Sequence, residues 1–258
     1  MTKQKQRRAF RFAASLAGLM APLAVLAQIP VVAPAEPAPA STGAVATVTH
    51  LSGTLTVKRS DGTTRFLSVK SGITEGDTLV TAKGTYARMK FSDGAETVLR
   101  PESQMKVDAF KYDEKKPESD NMIFSLLKGG MRSVTGLLGK RNRDKVLVTA
   151  PSATIGIRGT HFGMLVCNND CGSIPTPRGG PPPNGLHVDV LDGAVTVRNS
   201  AGSQTLNAGQ FGYVANATTA PVQVPAQQGI QVTMPIAISR NAGGGAVGKG
   251  QQTECVVP

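Results

Sequence analysis

The sequence predicts an all-β domain, a sandwich or β-roll of many short strands, over residues 44–224 of the 258-residue chain. Two observations carry this. Residues 54–58, 86–91, 186–191 and 194–198 alternate between apolar and polar side chains, the two-residue period of a strand with one face on a core. Between such runs fall Asp61-Gly62, Asp93-Gly94, Asn184-Gly185 and Asp192-Gly193, pairs that accept the positive φ of tight hairpin turns. No long amphipathic helical pattern interrupts them. A domain of this length can enclose one core.

Before the domain, residues 1–27 have the pattern of a secretory signal. Lys3, Lys5, Arg7, Arg8 and Arg11 precede an apolar run from Phe12 to Ala27, and Val25, Leu26 and Ala27 fit a cleavage site before Gln28. As a helix that run spans ~24 Å, short of a hydrocarbon core of about 30 Å, which favours a cleaved signal over an anchor. Arg7-Arg8 also resembles a twin-arginine export motif, departing from it at Gln6. Residues 28–43 are a Pro/Ala-rich spacer. The formal charge of +11 falls to +6 once the five basic residues of the signal are removed, leaving 23 basic against 17 acidic.

Within the domain, residues 52–67 and 192–206 echo one another. They read either as two ordinary hairpins or as two similar layers near the ends of the domain. Residues 111–120 are polar and predict an exposed loop, and residues 121–127 a strand. Residues 129–139 fit either one helical turn or a glycine-rich bend. Residues 149–162 hold strand formers broken by Pro151, Gly156 and Gly159, with Arg158 among apolar neighbours and Thr160 following. This predicts a tight turn between two strands, with Arg158 buried beside carboxylates or backbone carbonyls, because an unpaired buried guanidinium is very costly. Residues 167–184 form a Cys/Pro/Gly insertion at a hairpin tip. Cys167 and Cys171 are spaced for a local disulfide; a metal pair is disfavoured because His50, His161 and His187 have no ligand spacing. Residues 225–258 read as a low-complexity, disordered tail, with Cys255 near its end.

No catalytic constellation is legible. There is no nucleophile elbow, phosphate loop or zinc-protease motif, and Asp61, Asp77, Asp93 and Asp192 stand at turn positions. No cofactor or metal is expected. Trp is absent and aromatics total eight Phe and three Tyr, which disfavours base stacking and a nucleic-acid partner. Positive charge concentrates in residues 128–145. There Lys128, Arg132, Lys140, Arg141, Arg143 and Lys145 face Asp144 alone. Lys140, Arg141, Arg143 and Lys145 are the candidate contacts for an anionic partner. In a strand-like approach Arg141, Arg143 and Lys145 share a face.

Several short motifs occur in a telling order. These are Gly76-Asp77-Thr78, Phe91 with Asp93-Gly94 and Pro101, Gly129-Gly130 with Arg132 and Thr135-Gly136, Thr149-Ala150-Pro151, Gly156-Ile157-Arg158-Gly159-Thr160, Asp192-Gly193 and Ala208-Gly209-Gln210. Over roughly residues 45–215 this order resembles the FecR-type domain. The resemblance implies a periplasmic module which, in regulatory members, relays a signal from a TonB-dependent receptor to a sigma factor. Those members carry a cytoplasmic region before a membrane helix; here eleven residues precede the apolar run. The expectation is an exported, non-catalytic FecR-like protein of the bacterial envelope, periplasmic or secreted and not integral to the membrane after cleavage. It would bind an envelope protein or an anionic envelope polymer. The alternative is a cell-surface signalling component acting with a TonB-dependent receptor or a membrane regulator.

Overall fold

The fold was obtained as a computed structural model, which describes residues 43–235 and Ile238. The chain divides into two compact units, residues 1–36 and 37–258, and all described residues fall in the second. The expected signal, nearly all of the spacer, and residues 239–258 with Cys255 lie outside the described residues.

The expected all-β class is borne out: among the described residues, fifteen strands join one continuous sheet. In chain order they are β1 Ala46–Ser52, β2 Leu55–Lys58, β3 Thr64–Leu67, β4 Gly72–Ile73, β5 Thr78–Thr81, β6 Tyr86–Phe91, β7 Glu96–Leu99 and β8 Gln104–Lys111. Then come β9 Asn121–Val134, β10 Val146–Ala150, β11 Ala153–Cys167, β12 Gly185–Asn199, β13 Gly202–Asn207, β14 Phe211–Val214 and β15 Val222–Val224. A short helix, α1 Leu137–Arg141, follows β9.

Three strands are much longer than the sequence pattern predicts, and each serves two layers. β9 pairs with β8 and β10 through residues 121–128, then with β7 and β11 through 129–134. β11 and β12 change layers likewise, with register shifts between Arg158 and Phe162. One layer therefore runs β4-β1-β6-β7-β9-β11-β12-β14-β15 and the other β3-β2-β5-β8-β9-β10-β11-β12-β13. Gly129, Gly159 and Gly193 sit at the three corners with φ of 75°, 63° and 76°, a region that L side chains rarely adopt. Glycines that look like strand breaks in sequence are thus bends within continuous strands.

The layers enclose one buried cluster, with Val48, Met89 and Leu99 from the first and Leu55, Met105, Val148 and Ile155 from the second. Phe91 of β6 bridges them, its ring 5.2 Å from Phe110 and 4.9 Å from Phe124. Tilted ring pairs at this range add to simple area burial. The echoed segments become the β2–β3 hairpin and the β12–β13 hairpin. They form opposite edges of the same layer rather than one layer each.

Candidate functional site

Arg158 departs from expectation. Pro151 makes the turn between β10 and β11, but Gly156 to Thr160 lie on a continuous strand rather than in a tight turn. Ile157 faces the core, so its neighbour Arg158 faces outward. It is exposed, with no hydrogen-bond or ion-pair partner among the described residues. The motif is held through its backbone instead: the Thr160 N–H donates to Thr135 Oγ1 at 2.8 Å, and the Thr160 carbonyl accepts from the Thr135 N–H at 3.0 Å. The Gly159 corner packs beside Lys140, whose Cγ would lie 3.9 Å from a Cβ placed there. Lys140 is exposed and likewise has no polar partner among the described residues.

The other basic candidates are engaged differently. Residues 137–145 form α1 and a 3-10 turn, not a strand, so the alternation that would align Arg141, Arg143 and Lys145 does not apply. Arg141 pairs with Asp120 at 2.7 Å, donates to the Asp113 carbonyl, and lies 4.6 Å from the centre of the Tyr112 ring. Asp120 is fully buried, although the loop containing it was expected to be exposed. Arg141 thus ties that loop to α1. Lys145 donates to the Glu118 carbonyl at 2.6 Å.

A second constellation lies on the outer face of the first layer. A cross-strand row runs Arg88, Val98, Arg132, Gly163, Asp189, Phe211. Gly163 leaves Arg132 and Asp189 to meet over it, and their ion pair measures 2.6 Å with both side chains almost completely buried. The cover is the chain beyond residue 224, which sequence reading placed outside the domain. Arg132 Nε donates to the Val232 carbonyl at 2.7 Å, and the Val232 N–H donates to Asp189 Oδ1 at 3.1 Å. Arg100 donates to the Thr233 carbonyl and Arg88 to the Ile238 carbonyl. Below this segment Leu165, Cys167, Cys171, Ile230 and Val232 form an apolar cluster separate from the main core. Cys167 and Cys171 are joined in a disulfide. Asp189 carries no sequence signal of its own, since it occupies an ordinary outward position of an alternating strand.

Two histidines border this face. Burial pushes the His161 pKa down, with Arg132 acting the same way and Asp189 and Asp192 opposing. Burial also lowers that of His187, whose Nε2 lies 2.8 Å from the Pro183 carbonyl and whose ring is 5.0 Å from that of Tyr213. A cavity of about 330 Å³ opens beside His187, lined by Arg178, Tyr213, Gln228 and Ile230 among others. A second of about 210 Å³ lies toward Arg100, Lys128 and Asp170. No group of residues suited to a metal occurs among the described residues, and none of their helices is long and apolar enough to cross a membrane.

The FecR protein family model matches residues 77–196, from the start of β5 into β12, a narrower span than the motifs indicate. No curated protein matches the chain. Among solved structures, two of a protein described as a "putative anti-sigma factor" of Parabacteroides distasonis are similar at 15% and 16% identity. Each match has a TM-score of 0.42 and covers 57% of this chain. The chain spans 58% of the length of those structures. A third, a cell surface anchoring domain, is 28% identical over 24% of this chain and 83% of its own, with a TM-score of 0.24. From Asp77 through Thr196, the chain is therefore similar to the FecR protein family.

Proposed function

We propose that the chain is an exported, non-catalytic binding module of the bacterial envelope, periplasmic or secreted, whose cationic corner engages an acidic protein or an anionic envelope polymer. Residues 1–27 support export. The observation that carries the binding role is the corner at Gly159, where Lys140 and Arg158 are both exposed without polar side-chain partners among the described residues, beside exposed Val134 and Leu137. Val134 ends β9 and pairs with His161, two residues past that corner. Cations next to apolar surface suit a partner with carboxylates or phosphates and an apolar flank, and attraction there is salt-sensitive. Titration of the mature chain with poly-L-glutamate, at low and high salt, tests this. The K140Q/R158Q variant is expected to bind severalfold more weakly at low salt while melting like wild type; equal binding by both would overturn it. Fractionation giving a mature chain beginning at Gln28 outside the cytoplasm tests export.

The family match favours a second reading, a cell-surface signalling component acting with a TonB-dependent receptor or a membrane regulator. Loss of a transcriptional response on deletion, with a direct complex to the receptor's periplasmic domain, would select it.

A further inference from the structure

The outer face of the first layer holds residues 229–235 and Ile238 in a way that differs from core packing. Arg132, Arg100 and Arg88 donate to the Val232, Thr233 and Ile238 carbonyls, and Asp189 accepts from the Val232 N–H, all groups of the segment's backbone. Such contacts read the direction and extension of a chain, not the identity of its side chains. Identity enters at Ile230 and Val232, buried in a cluster apart from the main core against which Met234 also packs, and at the buried Ile238. The seat is shaped for a backbone, since a Cβ on Gly163 would collide with Asp189 and Val232. It is also incompletely filled. Arg132 Nη1 is buried with no hydrogen-bond partner among the described residues, on a side chain only 10% exposed. The cavity of about 330 Å³ opens directly beside Ile230.

We propose that this face is a binding site for an extended segment of a partner protein, apolar at alternate positions, and that residues 229–235, with Ile238, occupy it in cis as a displaceable occupant. The partner segment would take the Val232 register between Arg132 and Asp189, supply a carbonyl or carboxylate to Arg132 Nη1, and place a side chain larger than isoleucine in the cavity lined by His187 and Tyr213. Binding in trans is weakened by the cis segment, because the competent state is only the fraction with the segment released. This face is distinct from the cationic corner and stands whether or not that corner binds an anion.

The probe is a labelled synthetic peptide of residues 228–238, titrated into the full chain and into its I230D/V232D variant, which ejects the cis segment. The variant is expected to bind at least about tenfold more tightly, consistent with removal of a cis competitor. A peptide with phenylalanine in place of Ile230 should bind tighter still, and one with aspartate in place of Val232 should not bind. R100Q, which breaks no ion pair with an acidic residue, should weaken binding severalfold. Equal weak binding by wild type and a folded I230D/V232D chain would overturn the proposal, as would self-association of the wild-type chain by exchange of the segment between copies. Hydrogen exchange on the wild-type chain decides the matter if the variant does not fold. Excess peptide should speed exchange in residues 229–234 and leave β11 and β12 protected; an unchanged pattern would refute displacement.

Discussion

Arg132 and Arg158 lie on neighbouring strands, both point away from the core, and meet opposite fates. Arg132 is nearly buried, bonded to Asp189 and to the Val232 carbonyl. Arg158 is exposed and unpaired among the described residues. The neighbours explain it. Across from Arg132 lies Gly163 and beyond it Asp189, and chain from after residue 224 covers all three. Across from Arg158 lies Ala194, which offers no charge. An outward strand position is therefore buried or free according to what distant chain returns to cover it. Arg132 is 57 residues from Asp189 and 100 from Val232.

The two positions should separate sharply on substitution. Arg132→Ala strands a buried carboxylate and should cost about 3–5 kcal/mol in denaturant unfolding; a loss under about 1 kcal/mol would show that the pair is solvated. Gly193→Ala puts a Cβ against the Gly159 carbonyl at positive φ and should cost about 2 kcal/mol, testing the corner that Arg158 adjoins. Arg141→Ala leaves Asp120 short of its strongest donor and should cost about 1–2 kcal/mol. That loss would place Arg141 with Arg132 as a structural arginine, whereas none would return it to the anion-binding set.

Acidification should act mainly on the Arg132 side. His161 and His187 have folded-state pKa values below the 6.5 from which they are displaced, so the unfolded chain takes up their protons first. Their contribution is complete above pH 6.5 and is lost as pH falls from there through the lowered folded values. His187→Gln should flatten the melting temperature profile over that interval; an unaltered slope would exclude His187 as its source. Asp93 works in the opposite sense at lower pH, since burial raises its pKa above 3.8 and protonation relieves that cost. The smallest effect is expected at Arg158→Ala, within about 0.5 kcal/mol of wild type, as for exposed residues without partners.

Much of the domain was legible because its signals are local. Alternation identified β2, β6 and both halves of β12, and Asp-Gly pairs marked turns at residues 61–62 and 93–94. A spacing of four placed Cys167 and Cys171 within reach of one another. The strand lengths were not legible. Gly129, Gly159 and Gly193 have the same composition as turn glycines, and only the partner strands on either side reveal that the chain bends and continues. The outer-face site was invisible for a related reason: Asp189, Arg132 and Arg100 look like routine solvent-facing residues of alternating strands.

The sequence alone determined the all-β class, the hairpin punctuation, the disulfide loop and the FecR-type motifs, because each depends on residues within a few positions of one another. Tertiary structure alone decided which charges are paired. Burial of Arg132, Asp189 and Asp120, and exposure of Arg158 and Lys140, follow from segments far apart in the chain meeting on one surface. The free energy of a charge depends on the solvent and partners around it rather than on its sequence neighbours.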